Sequence, residues 1–554
     1  MNKKVCSFPI LFALLALLIG TCAVVFPASA QAAPTSTGSI TVSGTVASSY
    51  DAYQIFSANV VDGDSDAKNA TDLAWASDAA RDAVLPVLHS AGMPNSQTTA
   101  QEAAEWLNTD SHLTGALSAQ LARSLQSSGA VFVGLNAGTA AELPCGYWLI
   151  VADDDAIAQN EAGTAPIMAL VGGSAVTVKP KAATPKVAKH VLEDGTAAWQ
   201  KAADATVADD LYWRLSATVP AGLTAYDTYT VRFVDTMSAG LDPSKVAASM
   251  RVYVAAGAEG GFDAVQTGKD GRAGTEPAKG WTDITAQCGV SVDGKTFTVR
   301  TGDLVAALGG ADAFTAGARV VAVYNAPLNS ACNHGIAKGN PNEVYLRYPR
   351  SPFADQSGDA GFTRTPSDDA CAYTWDLALT KRGSDGDKPL AGAVLSIADD
   401  RGRTLAADGT WDAEGKATVT TGEDGRVTVS SVDSGKLEVR ELKAPKGYTA
   451  FEGTRSVTVK AEGLDVDQVA AAKPKLTITA ESPLRADSAD GSTGSLEASL
   501  INTPTGTPPS ITTGGFMPST GDMAMYAAAV AAVAGAALIV VALLVKRGGG
   551  SHKE

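Results

Sequence analysis

Two lysines stand on strand faces that are otherwise apolar. Side chains alternate between the two faces of a β-strand, so "KVAKHV" places Lys189 on the same face as Val187 and Val191. In "WDLALTK", Lys381 ends an apolar face in the same way. A single lysine in such a position usually protects an edge strand or extends its ammonium group to water. What these lysines can do chemically therefore depends on the partners that share their core.

Carboxylates and asparagines occupy a core-facing register on later strands. They are Asp235 in "VRFVD", Asn342 in "NEVYLRY", Glu441 in "KLEVRE" and Asn502 in "SLINTP", with Asn340 as an alternative to Asn342. Burial favours the neutral amine of a lysine and the protonated form of a carboxylic acid. A neutral amine held next to an asparagine can attack its carboxamide, and an isopeptide bond forms as ammonia leaves. The sequence thus predicts two self-reacting lysine–carboxylate–asparagine centres.

Short alternating segments predict the strands that hold these side chains. They are "SITVSGTV", "YTVRFVD", "KTFTVR", "RVVAVYN", "NEVYLRY", "RVTVSS" and "KLEVRE". Such segments, separated by Gly, Asp, Asn and Pro, are typical of antiparallel β-sandwiches. Residues 78–126 differ, because leucines recur every four residues at 113, 117, 121 and 125 and predict an amphipathic helix. We expect this section to be a helical insertion in the first domain.

Both ends of the chain carry apolar segments. A basic start, an apolar stretch from Phe8 to Phe26 and an Ala-x-Ala site predict a signal peptide over residues 1–30. Residues 523–545 are uncharged and precede Lys546 and Arg547, which predicts a transmembrane helix with a cytoplasmic tail. Residues between these segments are expected outside the cytoplasm.

Two motifs, one before the C-terminal apolar segment and one at residues 175–181, resemble those of Gram-positive surface proteins. Met517, Pro518, Ser519, Thr520 and Gly521, followed by the apolar span and the basic pair, resemble a cell-wall sorting signal of the Leu-Pro-x-Thr-Gly type, with Met in place of Leu. The resemblance implies that a sortase cleaves after Thr520. "AVTVKPK" is similar to the pilin motif of sortase-assembled pili, which makes Lys181 the implied acceptor amine. Lys179 and Lys186 are competitors.

The mature sequence as a whole resembles sortase-assembled major (backbone) pilins. "VRFVDTMSAGL" and "GNPNEVYLRYPRSP" resemble the isopeptide-forming fimbrial domain, and "YTWDLALTKR" and "VRELKAPKGY" resemble a collagen-adhesin B-type (Cna-B) domain. Carried over residue by residue, the resemblance implies a Lys189–Asn342 bond assisted by Asp235. It likewise implies a Lys381–Asn502 bond assisted by Glu441.

The expected fold class is all-β and multidomain, with three tandem immunoglobulin-like sandwiches. The expected boundaries are a pilin domain at 31–181, a fimbrial domain at 182–350, a linker at 351–371, a Cna-B-type domain at 372–503, a Pro/Thr/Gly linker at 504–516 and a sorting signal at 517–554. Four mature cysteines, at 145, 288, 332 and 371, lack metal-ligand spacing, and a Cys288–Cys332 disulfide is a weak preference among the open pairings.

Composition narrows the function further. The net charge of −16 disfavours nucleic-acid binding. No Gly-x-Ser-x-Gly or His-Glu-x-x-His motif is present, so a hydrolase is disfavoured, and no cofactor or metal is expected. The leading hypothesis is a structural, non-enzymatic pilus backbone subunit at the cell wall, with a sortase, identical subunits, accessory pilins and peptidoglycan as partners and a possible role in adhesion. The alternative is a wall-anchored adhesin or accessory pilin that binds a host ligand.

Overall fold

The computed structural model describes residues 36–506 apart from positions 45, 65–66, 110–111, 181–183, 208 and 269. The predicted signal peptide, Lys181, the motif at 517–521 and the segment at 523–545 lie outside the described residues. None of the helices within the described part of the chain has the length and apolar character needed to cross a bilayer.

The first group of elements combines two sheets with three helices. Its elements are β1 Thr37–Val42, β2 Ser49–Asp62, β3 Lys68–Trp75, α1 Asp78–Ser90, α2 Ala100–Asn108, α3 Gly115–Ser127, β4 Phe132–Asn136, β5 Ala140–Pro144, β6 Gly146–Ala152, β7 Ile167–Val171 and β8 Val176–Val178. One sheet has the order β3-β2-β6-β7 with β4 also on β2, and the other has the order β5-β1-β8.

The predicted helical insertion is confirmed as α1, α2 and α3. Thr99 and Glu102 form a capping box that starts α2. Thr114 caps α3, so Leu113 lies before this helix and is exposed, contrary to the four-residue repeat. Leu117, Leu121 and Leu125 are buried against the sheet. The apolar stripe of α3 therefore begins after the N-cap Thr114, whereas the leucine spacing predicts that it begins at Leu113.

The second group is built around two facing sheets. Its elements are β9 Lys186–Glu193, β10 Ala198–Gln200, β11 Ala202–Asp204, β12 Tyr212–Val219, β13 Arg232–Met237, α4 Val246–Ser249, β14 Arg251–Ala256, β15 Thr282–Asp283, β16 Gly289–Asp293, β17 Thr296–Arg300, α5 Leu304–Ala307, α6 Ala311–Phe314, β18 Ala318–Asn325, β19 Asn340–Pro349, β20 Phe362–Arg364 and β21 Asp368–Tyr373. The first sheet has the order β10-β9-β12-β18-β14-β15, and the second has the order β11-β21-β19-β13-β17-β16 with β20 on β19. An apolar core fills the space between them.

The third group also consists of two sheets. Its elements are β22 Trp375–Gly383, β23 Val394–Ala398, β24 Thr404–Leu405, β25 Trp411–Asp412, β26 Val419–Thr420, β27 Arg426–Val432, β28 Gly435–Lys443, β29 Tyr448–Thr449, β30 Thr454–Glu462, β31 Lys475–Ala480, β32 Leu484–Asp490 and β33 Ser495–Pro504. One sheet has the order β27-β22-β33-β29 with β32 on β33, and the other has the order β25-β24-β23-β28-β30-β31 with β26 on β23. The mostly-β, multidomain class expected from the sequence is confirmed.

Two details differ from the sequence-based expectations. The segment 351–371 contains β20 and most of β21, which pair with β19 and β11, because its Pro, Asp and Gly residues surround two short runs that can pair. All four cysteines of the described residues are free thiols, so the preferred Cys288–Cys332 disulfide is wrong. The Cys288 thiol donates to the Ile284 carbonyl, whereas Cys332 lies beside His334.

Candidate functional site

The polar residues predicted to face the core are buried. Their exposed fractions are 0% for Lys189, Asp235 and Lys381, 1% for Asn342, 2% for Asn502 and 7% for Glu441. The neighbours in phase with them, such as Val191, Phe233 and Leu379, are buried as well. Strand alternation therefore places these side chains correctly, and each needs a polar partner inside the core.

The first centre lies between the two sheets of the second group. Lys189 on β9 belongs to one sheet, while Asp235 on β13 and Asn342 on β19 belong to the facing sheet. The Lys189 Nζ forms a buried ion pair with Asp235 Oδ2. Asp235 lies opposite Val344 and Asn342 lies opposite Met237, so the two are diagonal neighbours on one face of the sheet. The fold thus brings all three residues of this predicted centre together.

Tyr324 on β18 connects the three residues. Its hydroxyl oxygen accepts from Lys189 Nζ at 2.8 Å and from Asn342 Nδ2 at 2.8 Å, and it donates to Asp235 Oδ2 at 3.0 Å. Tyr324 lies in the predicted strand "RVVAVYN", in phase with the buried Val320 and Ala322. This phase predicts burial of the tyrosine, and a buried tyrosine hydroxyl normally requires a partner.

Burial sets the electrostatics of the first centre. It lowers the pKa of Lys189 to about 8, although the nearby Asp235 carboxylate opposes this shift. Burial also raises the pKa of Asp235, against the opposing effect of Lys189. The Lys189 Nζ also lies over the Trp213 and Tyr324 rings, 5.4 Å from each ring centroid. Both shifts favour transfer of a proton from the ammonium group to the carboxylate.

Two oxygens of this centre have no hydrogen-bond partner among the described residues. They are Asp235 Oδ1 and Asn342 Oδ1, and both are buried. A proton on Asp235 would supply a donor for one of them, and the asparagine carbonyl is the nearby acceptor that lacks a donor. The site is therefore better satisfied when Asp235 is protonated.

Asn340, the alternative to Asn342, is engaged elsewhere. Its Oδ1 accepts from the Asn333 amide at 2.8 Å, and its Nδ2 donates to the Asn333 carbonyl at 2.9 Å. It also donates to the Ala372 carbonyl at 3.2 Å. Asn340 thus fixes the loop before β19, while Asn342 contacts the lysine centre through Tyr324.

The second centre uses a different arrangement of strands. Lys381 on β22 and Asn502 on β33 lie on neighbouring parallel strands, with Lys381 opposite Leu500 and Gly383 opposite Asn502. Glu441 comes from β28 in the facing sheet. The Lys381 Nζ lies 3.5 Å from Glu441 Oε1 and donates to the Leu500 carbonyl at 3.2 Å.

The carboxylate of Glu441 contacts both Lys381 and Asn502. It accepts from Asn502 Nδ2 at 2.9 and 3.0 Å through its two oxygens, and from the Phe451 backbone amide at 3.1 Å. Burial lowers the pKa of Lys381 to about 8, against the effect of Glu441. Asn502 Oδ1 is buried without a partner. Amine, acid and carboxamide are therefore adjacent here too.

A cluster of acidic residues lies between the second and third groups. Asp194, Asp209 and Asp433 each place one carboxylate oxygen within 4.8 Å of the others. Arg401 bridges Asp194 and Asp209 at 3.1 and 2.5 Å, and Arg403 lies 2.7 Å from Asp209. These arginines neutralise part of the cluster, so we interpret it as an ion-pair network between the groups.

Comparison with known proteins identifies one part of the chain. Residues 376–473 match the family model described as SpaA, a prealbumin-like fold domain. The matched segment contains Lys381 and Glu441, and Asn502 follows it on β33.

In addition to the SpaA match, the chain is similar to a curated streptococcal protein. Over 143 residues it is 30% identical to the trypsin-resistant surface T6 protein of Streptococcus pyogenes serotype M6, which is 24% of this chain and 24% of that protein. The chain thus matches about a quarter of the length of this relative. The resemblance predicted from the sequence motifs is confirmed by these matches.

Solved structures with a similar arrangement include two pilins. The T6 backbone pilin of serotype M6 Streptococcus pyogenes is 16% identical with a TM-score of 0.46, over 85% of this chain and 98% of that chain. The major pilin SpaD of Corynebacterium diphtheriae is 15% identical with a TM-score of 0.41, over the same shares.

Proposed function

We propose that this chain is the structural backbone subunit of a covalent cell-surface pilus. The observation that carries the proposal is the SpaA-type domain at 376–473 with a buried lysine and glutamate beside an asparagine. The similarity to a streptococcal surface protein supports a pilus subunit. The chain is then a substrate of a sortase and performs no turnover of its own.

Polymerisation would use the two sequence motifs outside the described residues. A sortase cysteine attacks the Thr520 carbonyl, the bond to Gly521 breaks, and Thr520 becomes a thioester on the enzyme. The Lys181 amine of the next subunit then attacks this thioester and releases the sortase thiol. At the end of assembly an amine of peptidoglycan accepts the last subunit, which anchors the fibre and supports adhesion, with accessory pilins joined by the same chemistry.

The two buried centres would each form one intramolecular amide. In the first, the neutral Lys189 amine attacks Asn342 Cγ while protonated Asp235 donates to the carbonyl oxygen. Asp235 then returns the amine proton to the leaving nitrogen, so that a C–N bond forms, another breaks and ammonia departs. Lys381, Glu441 and Asn502 perform the same reaction. Fixed proximity inside a dry core lowers the barrier for both steps.

In a pilus that is one subunit wide, every subunit must withstand the tension on the whole fibre. The intramolecular bonds therefore protect each subunit from unfolding. An amide between strands cannot be opened by shearing hydrogen bonds. The reaction occurs once per centre and needs no cofactor.

The test is the Lys181→Ala variant expressed in a pilus-forming host with its sortase. Loss of the high-molecular-weight ladder on denaturing gels, with the monomer still attached to the wall, is the expected result. Lys179→Ala and Lys186→Ala serve as matched controls that should retain the ladder. A ladder that persists when all three lysines are replaced contradicts the backbone role and favours a wall-anchored adhesin or accessory pilin.

A further inference from the structure

Cys332, His334 and Asp376 lie in a row where the second and third groups meet. The Cys332 Sγ is 3.7 Å from Nε2 of His334, and the opposite ring nitrogen, Nδ1, is 2.7 Å from Asp376 Oδ1. The second contact is an ion pair whose N–H does not point straight at the carboxylate. Cys332 and His334 belong to the loop between β18 and β19, whereas Asp376 is on β22.

This order of groups is that of a nucleophile, a histidine that activates it and a residue that orients the histidine. The contact with Asp376, followed by that with Cys332, raises the pKa of His334 to about 10. The imidazole is then positively charged at neutral pH, and a positive charge beside a sulfur stabilises a thiolate, which is the reactive form of cysteine. Because the ring uses opposite nitrogens for the two contacts, the three residues cannot converge on one metal ion.

The loop that carries the thiol is held on both sides. Asn329 donates through Nδ2 to the carbonyls of Ala239 and Leu241 at 2.9 and 3.0 Å, and its own carbonyl accepts from the Cys332 amide at 3.0 Å. The Asn340 side chain pairs with the Asn333 backbone, as described above. The Gly335 amide donates to the Thr374 carbonyl at 3.0 Å, two residues before Asp376.

The backbone at Gly240 packs against the backbone of Cys332. A Cβ at residue 240 would lie 2.7 Å from the Cys332 Cα, so the backbone approaches closely only because glycine is present. The sulfur and the imidazole are therefore positioned by a rigid frame, and their contact does not depend on free rotation of the loop.

The other three cysteines have no histidine partner among the described contacts. Cys145 and Cys371 are 1% and 2% exposed, and burial raises the pKa of Cys371 to about 11. Cys288 is half-buried, and burial raises its pKa to about 11 as well. Cys332 is 9% exposed and packs at the margin of the second group's core, and it contacts the His334 side chain, which is 27% exposed.

We propose that Cys332 is a nucleophilic thiol site that forms a mixed disulfide with a small external disulfide, assisted by His334 and oriented by Asp376. The Cys332 thiolate attacks one sulfur of the external disulfide and forms a new S–S bond. The original S–S bond breaks, and the other half leaves as a thiolate that takes a proton from water. The external disulfide is the only co-reactant, so no separate oxidant is consumed.

The test uses the purified full chain and two probes, iodoacetamide and oxidised glutathione. Peptide mass spectrometry follows the labelling of each cysteine with time. Cys332 is expected to react at least about tenfold faster than Cys288, the half-buried matched control, and to acquire one glutathionyl group. The His334→Asn variant is expected to lower the Cys332 rate about tenfold with an unchanged circular dichroism spectrum.

His112→Asn is the control for loss of a histidine, because His112 stacks on Trp106 in the first group. If His334→Asn leaves the rate unchanged, or if Cys332 reacts no faster than Cys288, the proposal is wrong. Should His334→Asn disturb the fold, the rates of Cys332 and Cys288 in the unmodified chain decide, and equal rates contradict the proposal.

Discussion

Lys189 and Asn342 come from facing sheets, yet both donate to the hydroxyl oxygen of Tyr324, each at a distance of 2.8 Å. The same hydroxyl donates to Asp235 at 3.0 Å. Tyr324 therefore holds the amine and the carboxamide of the proposed bond in one hydrogen-bonded group. The second centre uses the backbone carbonyl of Leu500 to hold its lysine instead.

The Tyr324→Phe variant tests this positioning role. Removing the hydroxyl leaves Lys189 and Asn342 without a common partner, so we expect the Lys189–Asn342 bond to form about ten to a hundred times more slowly. The fraction of cross-linked chain is measured by intact mass at fixed times after synthesis. The Lys381–Asn502 bond in the same molecules is the internal control. A Lys189–Asn342 rate equal to that of the unmodified chain would exclude a role for Tyr324.

Intact mass gives the most direct test of the two bonds themselves. Each bond releases one ammonia, so the folded chain should weigh about 34 Da less than its sequence. Lys189→Ala and Lys381→Ala should each restore about 17 Da relative to their own calculated masses. Lys201→Ala is the matched control, because Lys201 is also buried and paired with a carboxylate, Asp368, but contacts no asparagine side chain in the described contacts. A full-mass chain in folded protein would contradict both bonds.

The carboxyl groups are expected to be essential and specific to their own centre. Asp235→Asn and Glu441→Gln keep the size of the side chain but cannot move a proton, so each variant should lack one bond and retain the other. Tryptic peptide mapping separates the two outcomes, since a joined pair of peptides appears only for the intact centre. Bond formation in either variant at the unmodified rate would rule out proton transfer by that carboxyl group.

The pH dependence of stability reveals the unreacted Lys381 amine. In Asn502→Ala the lysine stays free, with its pKa lowered to about 8 in the folded chain by burial. Below pH 8 the amine is charged in both states. Between about pH 8 and 10.5 only the unfolded chain keeps the proton, so stability should rise with pH by up to about 1.4 kcal/mol per unit.

Urea unfolding of Asn502→Ala across this pH range is the measurement. The double variant Lys381→Met/Asn502→Ala has no amine to titrate and should lack the rise. The unmodified chain should also lack it, since its lysine nitrogen would be an amide. An equal slope in all three chains would assign the effect to other groups.

The proposed Lys381–Asn502 bond should also increase the resistance of the third group to denaturant. A Lys381–Asn502 cross-link closes a loop of about 120 residues and restricts the unfolded chain, which stabilises the folded state by on the order of 4–5 kcal/mol. We expect Lys381→Met to lower the urea midpoint of the third group strongly. Trp375 and Trp411, both in this group, provide the fluorescence signal. A midpoint equal to that of the unmodified chain would show that no covalent closure exists.

Strand periodicity predicts the burial of the polar residues in the two proposed centres. Lys189, Asp235, Asn342 and Glu441 fall on buried faces because alternate side chains share a face. Their roles in bond formation follow from the family resemblance and stay predictions. Periodicity could not separate Asn342 from Asn340, since residues two apart share a face. The contacts of Asn340 with the Asn333 backbone and of Asn342 with Tyr324 distinguish them.

Other features required three-dimensional information. The hydrogen-bond partners of Tyr324 could not be predicted, because the sequence does not reveal which strands of two sheets face each other. In the structure β18 faces β13, which brings Tyr324 to Asp235. The strands β20 and β21 were hidden in a segment whose composition is typical of a linker. The row of Cys332, His334 and Asp376 joins a loop to a strand of another group, so spacing along the chain could not predict it.

The parallel pairing of β22 and β33 has a mechanical consequence. These strands are the first and last of the third group, and Lys381 and Asn502 lie near their ends. With the proposed amide in place, a pulling force that enters at β22 leaves at β33 directly through the new bond. The polypeptide between them, from β23 to β32, would then carry none of the pulling force. A break in its backbone would leave the fibre continuous.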